Sequence, residues 1–259
     1  MEFRIRRLVG IVVISLACLV AVFAPALAPH SPIQSSLNTL APASADHWLG
    51  TDELGRDLLS RVIYGTRTSL IIGLGAAAFS VLVGVTVGLI AGYFRGRIDV
   101  IAVQVIDLFI ALPGLVLALI ITAMIGPTLL NLVIVLGIVS WPAMARLVRG
   151  QVLNIRELAF IEAAEALGSS PWRVIAWHVW PNIMRVVFAQ FAVSVSAAIF
   201  TSASLSFLGL GIAPPTPDWG SMVRTGYAYL AFSPQLSLAP GGAVAFLVVG
   251  FYLVGSSID

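Results

Sequence analysis

Residues 156–181 read RELAFIEAAEALGSSPWRVIAWHVWP, a long polar stretch inside an otherwise apolar sequence. Alanine, glutamate and leucine are strong helix formers, so the run 157–167 predicts a helix. Gly168 follows at the position where a glycine commonly ends a helix. Ala163 and Ala164 leave one face of this helix with little side-chain bulk, so the backbone of another protein could approach it closely.

A second helix is predicted directly after the first. Ser169 or Ser170 is expected to cap its N-terminus, with Pro171 at its first position. Pro181 is expected to end it, because proline lacks the N–H group that a helix interior needs. The stretch therefore predicts two short helices, set at an angle to each other and lying outside a membrane.

The composition places this stretch in a membrane protein. The chain has 259 residues, of which 59% are hydrophobic and 10% charged, whereas about a quarter of an average soluble domain is charged. The sequence therefore predicts an all-α polytopic membrane protein in contact with lipid. The net charge of +2 indicates orientation in the membrane and not nucleic-acid binding. The single cysteine, Cys18, excludes an intrachain disulfide and a cysteine-based metal site.

The basic residues are 14 arginines, and the sequence contains no lysine. A P-loop needs a lysine that contacts the nucleotide phosphates. If ATP drives this protein, another chain must therefore hydrolyse it. The sequence also lacks a His-Glu-x-x-His motif and paired intramembrane acids, so we expect no catalytic residue and no bound cofactor or metal in this chain.

Apolar segments predict about six transmembrane helices, since about 20 apolar residues cross the hydrocarbon core. The first could instead be a cleaved signal peptide, but the apolar remainder of the chain favours an uncleaved span. The third is expected to bend at Pro113. The predicted spans are 8–27, 70–93, 99–125, 129–145, 186–208 and 239–254.

The predicted organisation has three parts. Residues 1–28 form the N-terminal tail and first span, 29–67 an external segment, and 68–259 a core of five transmembrane helices that includes the cytoplasmic loop 150–183. Both termini are predicted in the cytoplasm, because ten arginines then fall inside and four outside, as the positive-inside rule requires. The inner arginines are Arg4, Arg6, Arg7, Arg95, Arg97, Arg146, Arg149, Arg156, Arg173 and Arg185, and the outer ones are Arg56, Arg61, Arg67 and Arg224.

Small residues recur at helical spacing in the second span. Gly84 and Gly88 form one such pair, and Gly73 and Ala77 form another. Such faces let transmembrane helices pack closely. The partner of each face is either another helix of this chain or a second subunit.

Asp107 is the only carboxylate predicted deep in a span. An acid at that depth is costly unless it is paired or faces water. It either lines a path through the membrane near the inner mouth of that path or pairs with an arginine of this chain or of a partner, and the structural pairing is the preferred interpretation.

The polar stretch has Glu162-Ala163-Ala164, then Gly168 and, thirteen residues later, Pro181. In this pattern it resembles the EAA loop of ABC importer permeases. In that family the loop is the coupling element that sits in a cleft of the ATPase subunit. This chain has His178 and Trp180 where the family has isoleucine and leucine, and an ordinary helical hairpin is the alternative. The residues that the resemblance assigns to ATPase coupling are Glu162, Ala163, Ala164, Gly168, Ser170, Pro171, His178 and Pro181.

Residues 48–61, WLGTDELGRDLLSR, resemble a signature of the C-type permease of dipeptide, oligopeptide and nickel importers. Leu54, Leu58, Leu59 and Val62 fall near helical spacing and predict a short amphipathic helix on the membrane surface. The charges of the signature either solvate that helix or contact substrate. The signature residues are Gly50, Thr51, Asp52, Gly55, Arg56 and Asp57.

Residues 208–223, LGLGIAPPTPDWGSMV, follow Ser206 and resemble a second signature of the same subfamily. Three prolines and three glycines argue against a regular helix there. An irregular turn at membrane depth must be buried in protein or line water. Ser206, Pro214 and Pro215, together with Asp107, are therefore candidates for a gate or path lining, and a rigid external loop is the alternative.

The resemblance implies a permease subunit that forms half of the path for peptides or a related small solute in an ATP-driven importer of the bacterial inner membrane. It implies as partners a homologous permease subunit, two ATPase subunits that bind ATP and Mg, and an extracellular or periplasmic substrate-binding protein. Relatives usually continue past this C-terminus with a charged stretch, so the chain is either shortened or ends naturally here. An ion-coupled secondary transporter is the alternative, but it should carry several membrane carboxylates where this sequence has Asp107.

Overall fold

The computed structural model describes residues 2–257, so residues 258 and 259 of the predicted core lie outside it. The described chain is all-α, as predicted, and has no β-strand. Two π-helical turns flank α9 at Ile175–Val179 and Ser206–Leu210. The helices are α1 (Glu2–Val22), α2 (Ala24–Leu27), α3 (Leu58–Phe94), α4 (Gly96–Ala111), α5 (Gly114–Ile125), α6 (Leu129–Arg156), α7 (Ala159–Ala166), α8 (Pro171–Val174), α9 (Trp180–Leu205), α10 (Trp219–Tyr227) and α11 (Gln235–Gly255).

Five of the described helical segments are long and apolar enough to cross a membrane, and the bent pair α4–α5 makes a sixth when it is counted as one span. This confirms the prediction of about six spans. Several helices extend past their predicted limits. The 37 residues of α3 measure about 55 Å at 1.5 Å per residue, which exceeds the hydrocarbon thickness of about 30 Å. The ends of α3 therefore project beyond the bilayer core.

The bundle has two distinct ends. At one end, called the loop end, the last turn of α3 meets residues 150–174. The ion pair between Arg95 and Glu157, at 3.0 Å, shows this contact. Since α6 is 28 residues long, its N-terminus at Leu129 lies at the opposite end. The pair α4–α5 therefore carries the chain from the loop end to the opposite end.

The predicted bend at Pro113 is a full break. Helices α4 and α5 meet at an angle of 86°. Leu112 is extended, with ψ of 135°, because a residue that precedes proline is pushed out of the α region. Pro113 then occupies the N-cap position of α5.

The small-residue faces of α3 pack within the chain. A Cβ atom at Gly88 would lie 2.7 Å from the carbonyl oxygen of Ala145, and one at Gly84 would lie 2.8 Å from a carbonyl oxygen of α6. A Cβ atom at Gly73 would lie 2.6 Å from the Ile199 side chain of α9. Both predicted pairs therefore mark contacts between helices of this chain, which settles the alternatives left open by the sequence.

We expect Gly88→Val to destabilise the bundle, because the added side chain meets the backbone of α6 and overpacking typically costs about 1–3 kcal/mol or more. The matched control is Gly150→Ala in α6, since no atom lies within 4 Å of a Cβ atom at that position. Thermal unfolding of the purified chains in detergent measures both effects. Gly88→Val should unfold several degrees lower than wild type, and equal unfolding temperatures for the two variants would contradict this packing.

The segment before α3 folds against the opposite end of the bundle. The backbone N–H of His30 donates to Ser60 Oγ at 3.1 Å, and Arg61 donates to the carbonyl oxygen of Pro32 at 2.8 Å. Trp219 of α10 joins the same region by donating its indole N–H to the carbonyl oxygen of Val62 at 2.9 Å.

The separate amphipathic helix predicted in this segment is wrong. Leu58, Leu59 and Val62 belong to the first turns of α3, and Leu58 is 2% exposed. Leu54 lies in the turn that precedes the helix. The side chain of Asp57 caps α3 by accepting a hydrogen bond from the backbone N–H of Ser60, and this cap fixes the start of the long helix.

The expectation that residues 208–223 form no regular helix holds only in part. The last proline of the run is Pro217, and α10 begins two residues later at Trp219. Asp218 caps it by accepting from the backbone N–H of Ser221 at 3.1 Å. The irregular stretch therefore runs from the kink at Gly209, which has φ of +97°, to Asp218.

Candidate coupling site

Helix α7 ends in a Schellman motif centred on Gly168. The backbone N–H of Gly168 donates to the carbonyl of Glu165 at 2.9 Å, and that of Ser169 donates to the carbonyl of Ala164 at 3.1 Å. These two bonds satisfy carbonyl groups that the end of a helix leaves free. Gly168 has φ of +83° and open space where a Cβ atom would be. The predicted glycine stop is therefore present, and the backbone angle, not the available space, requires glycine.

Buried side chains attach the two helices of the loop to the spans. Ile161 of α7 and Val174 of α8 are both fully buried. They pack in one apolar cluster with Val148 and Val152 of α6 and with the start of α9. Ala164 is also buried in this cluster, at 9% exposure. The low-bulk face predicted for an external backbone is thus partly occupied by the chain itself, and Ala163 is the member that stays exposed.

Polar contacts hold the loop to the end of α3. The Tyr93 hydroxyl donates to Glu165 Oε1 at 2.7 Å. The Arg156 guanidinium lies over the Tyr93 ring, 5.2 Å from its centroid, at a distance typical of a cation–π contact. With the pair between Arg95 and Glu157, these contacts make the loop and the last turn of α3 one packed unit.

The prediction that Pro181 ends the second helix is wrong. Residues Pro171–Leu210 form one helical segment of 40 residues. A π-helical turn at Ile175–Val179 precedes the proline, and the N–H of Trp180 donates to the carbonyl of Ile175. The wider turn places Pro181 in the first turn of α9, where its missing N–H group and its ring are tolerated. The second loop helix is therefore continuous with the fifth span.

Several large apolar side chains of the loop face outward. Leu167 is 87% exposed and Trp177 is 75% exposed. Trp172, also exposed, makes an edge contact with Phe94 at 5.6 Å between ring centroids. Of the predicted coupling residues, Glu162, Ala163, Gly168, Ser170, Pro171 and Pro181 are exposed, His178 is half-buried and Ala164 is buried. Ser170 occupies the N-cap position of α8 without a side-chain cap bond.

Asp107 lies in α4 and pairs with Arg146 of α6. Both side chains are more than half exposed in the single chain. About two turns nearer the loop end, Asp99 pairs with Arg149 through two hydrogen bonds. Two acid–arginine pairs thus join α4 to α6.

Ser206 and the prolines of the second signature occupy different surroundings. Ser206 is buried at 1% exposure, whereas Pro214 and Pro215 are exposed at the opposite end.

Phe207, which follows Ser206, helps to line an open apolar cleft of about 370 Å³ between α5, α9, α10 and α11. Nearby, burial raises the pKa of Asp218, against hydrogen bonds that include the backbone N–H of Ser221.

The residues of the external signature hold together the segment that precedes α3. Asp52 Oδ2 accepts from Arg56 Nε at 2.6 Å and lies 3.4 Å from Arg61 Nε. Thr51, Asp52, Arg56 and Asp57 are all buried. These charges are therefore held in buried pairs within the chain, and they do not solvate a surface helix.

The two signature glycines permit close approaches. Gly50 has φ of +82° and Gly55 has φ of +72°. A Cβ atom at these positions would lie 2.3 Å from the carbonyl oxygen of Ala41 and 2.2 Å from that of Ser36, respectively.

Beside these glycines, burial would raise the pKa of Asp57, but hydrogen bonds from Ser60 and His47 hold that pKa below its usual value.

Comparison with known proteins decides between an ABC importer permease and an ion-coupled secondary transporter. A family described as "Binding-protein-dependent transport system inner membrane component" matches residues 84–259. The chain belongs to this family. It is a permease subunit of an ABC importer, and an EAA loop with a coupling helix is typical of such subunits.

Relatives of the permease match over nearly its full length. The dipeptide transport system permease protein DppC of Alkalihalophilus pseudofirmus is 38% identical over 97% of this chain and 83% of the relative. The probable D,D-dipeptide transport system permease protein DdpC of Escherichia coli is 38% identical over 95% and 83%. The oligopeptide transport system permease protein OppC of Bacillus subtilis is 36% identical over 100% and 86%.

A solved structure shares the fold of the permease. A chain of the MetNI methionine ABC transporter, in an inward-facing crystal form, superposes with a TM-score of 0.65 at 17% identity. The match covers 77% of this chain and 94% of that chain. The arrangement of spans around the loop is therefore that of an ABC importer permease.

Sequence reasoning missed the residues that attach the permease loop to α3. Tyr93, Arg95 and Arg156 flank helix ends where they read as ordinary interface and orientation residues. Only the fold brings Tyr93 to Glu165, which lies 72 residues away in sequence. An aromatic residue two positions before an arginine at the end of a span is the signal that could have drawn attention to Tyr93.

Proposed function

We propose that this permease carries peptides or a related small solute, such as a dipeptide, an oligopeptide or a nickel chelate, through an ATP-driven importer of the bacterial inner membrane. The support is the set of relatives named as dipeptide and oligopeptide permeases, which align with almost the whole chain. The termini and the loop 150–183 are proposed to face the cytoplasm, in keeping with the arginine distribution.

The permease is proposed to act with four kinds of neighbour. A homologous permease subunit completes the translocation path, and the open apolar cleft beside Phe207 is one surface of this chain available to the path or to that subunit. Two ATPase subunits bind ATP and Mg. A substrate-binding protein delivers solute at the opposite end, and lipid surrounds the rest.

The exposed face of the loop is proposed to dock on an ATPase subunit. Leu167, Trp172 and Trp177 present large, exposed apolar side chains on this loop, and exposed apolar patches commonly mark protein interfaces. Glu162, Ala163, Ser170 and Pro171 are exposed on the same loop, and His178 borders Trp177 in a surface cleft. This combination of an anchored inner face and an apolar outer face is the observation that carries the coupling role.

Motion of the loop would pass to three spans at once. Helix α7 packs against α6 through the buried cluster around Ile161. The hydrogen bond between Tyr93 and Glu165 links it to α3, and α8 continues into the fifth span without a break. When ATP draws the ATPase subunits together, the loop is therefore expected to move as a rigid body and to tilt these spans, which changes the side to which the path opens.

Asp107, Ser206, Pro214 and Pro215 are retained as candidates for the path or gate. The ion-coupled alternative depended on Asp107, whose carboxylate is already paired with Arg146. The family membership and the relatives favour ATP-driven import.

Reconstitution tests this proposal. The permease, its partner permease and the ATPase subunits are placed in proteoliposomes with the binding protein and a labelled dipeptide. We expect uptake that requires ATP, that persists when ion gradients are collapsed, and that survives Asp107→Asn. Uptake driven by an ion gradient without ATP would overturn the proposal.

A further inference from the structure

Two histidines and an aspartate meet at the opposite end of the permease, far from the coupling loop. His47 Nδ1 lies 2.9 Å from Asp57 Oδ1, and His30 Nδ1 lies 3.8 Å from the same oxygen. The two imidazole rings are 4.7 Å apart between centroids. One possible ligand atom from each residue lies within 4.8 Å of the others.

We infer that His30, His47 and Asp57 form a binding site for a divalent transition-metal ion of the zinc class. Imidazole nitrogen and carboxylate oxygen are ligands that such ions take. Zn–N and Zn–O bonds of about 2.0–2.2 Å would place the ligand atoms about 3.3–3.5 Å apart in a tetrahedral site. The observed separations of 2.9 and 3.8 Å lie on either side of that value, so small side-chain rotations are enough to enclose an ion.

The aspartate is oriented for this role by the start of α3. Its Oδ2 atom accepts from the backbone N–H of Ser60 at 2.8 Å and from the Ser60 hydroxyl at 2.6 Å. The Asp57 side chain is fully buried, and its other oxygen, Oδ1, is the atom that both histidines approach. Hydrogen bonds of this kind, which fix a ligand from behind, are characteristic of metal sites.

The side of the cluster away from α3 is open. His30 is 42% exposed and His47 is 19% exposed at the side chain. Both border a cavity of about 210 Å³ that is also lined by Ser31, Gln34 and Ser36. Three protein ligands with an accessible fourth position suit an ion that keeps a water molecule or another small ligand.

The ion would join two parts of the segment before α3 to the helix itself. His30 lies 17 positions before His47 and 27 before Asp57, so no metal-binding motif marks the set in the sequence. The inference differs from the sequence-based expectation that the chain binds no metal. A bound ion should stabilise the opposite end of the permease, because a ligand that binds only the folded state raises its stability.

The test uses the full-length chain in detergent with a tag free of histidine, titrated with Zn²⁺ and, for spectroscopy, with Co²⁺. We expect one ion per chain, visible Co²⁺ absorption of low-symmetry coordination, and a rise of several degrees in unfolding temperature with Zn²⁺. His30→Asn should weaken binding at least tenfold and abolish the thermal shift. Its side chain is the most exposed of the three, so this change leaves the fold intact.

Two further variants make the result decisive. His47→Asn retains a hydrogen-bond donor toward Asp57, and it should lose the metal as His30→Asn does. His178→Asn, which changes the third histidine of the chain at the coupling loop, should bind as wild type does. No Zn²⁺ binding by wild type, or equal binding by wild type and the His30 and His47 variants, would overturn the inference and leave a simple hydrogen bond between His47 and Asp57.

Discussion

Gly168→Val is expected to lower ATP-driven uptake by about tenfold while the spans stay folded. Gly168 has φ of +83°, a region that costs an ordinary L-residue about 1–2 kcal/mol and a β-branched residue more. That cost lowers the equilibrium constant for forming the Schellman motif by a factor of about 5–30. Without the motif, the C-terminal end of α7 and the neighbouring Leu167 no longer hold their positions.

The matched control for this change is Gly168→Asn, because asparagine tolerates positive φ better than other non-glycine residues. No atom lies within 4 Å of a Cβ atom at this position, so neither variant introduces a clash. Uptake and substrate-stimulated ATPase activity are measured in proteoliposomes, and folding is followed by thermal unfolding of the purified chain. Gly168→Asn should keep most of the uptake, and normal uptake with normal stimulation in Gly168→Val would refute the role of the motif.

Leu167→Asp is expected to weaken binding of the ATPase subunit by at least tenfold without changing the stability of the permease alone. The side chain is 87% exposed in the single chain, so the change disturbs no internal packing. Burying a leucine side chain contributes about 1.5–3 kcal/mol, and each 1.4 kcal/mol is about a factor of ten in affinity. Placing an aspartate in the interface with the ATPase subunit adds the cost of burying a charge.

Two controls separate a local effect from a general one. Leu167→Met keeps an apolar side chain and should bind the ATPase subunit nearly as wild type does. Leu37→Asp changes another fully exposed leucine, located in the segment at the opposite end, and should leave ATPase binding unaltered. If binding measured by surface plasmon resonance on nanodisc-embedded permease is equal in Leu167→Asp and wild type, the loop surface around Leu167 is not the docking site.

The membrane spans and their number followed from the sequence because spans depend on a one-dimensional property, the length of an apolar run. The glycine stop at Gly168 and the break at Pro113 also followed, since each depends on the backbone preferences of one residue. The stop at Pro181 failed for a related reason. A π-helical turn at Ile175–Val179 accommodates the proline, and nothing in the local sequence distinguishes a proline that ends a helix from one that a wider turn admits.

The sites were less accessible to sequence reasoning because they depend on contacts between distant parts of the chain. The pairing of Asp107 with an arginine could be anticipated on energetic grounds, but the choice of Arg146 required the packing of α4 on α6. The sequence left the charges of the external signature open to either solvation or substrate contact, and the fold buries Asp52, Arg56 and Asp57. The meeting of His30 with His47 and Asp57 has no periodicity or motif behind it.

Cysteine crosslinking in native membranes tests the central claim most directly, that the loop 150–183 is moved by an ATPase subunit. In a Cys18→Ala background, Ala163→Cys places a thiol on the exposed face of α7, and Leu37→Cys places one on an exposed residue of the opposite end. The account predicts a crosslink from position 163 to the nucleotide-binding subunit whose yield changes with ATP, and none from position 37. Failure of position 163 to capture that subunit, in membranes where uptake proceeds normally, would contradict it.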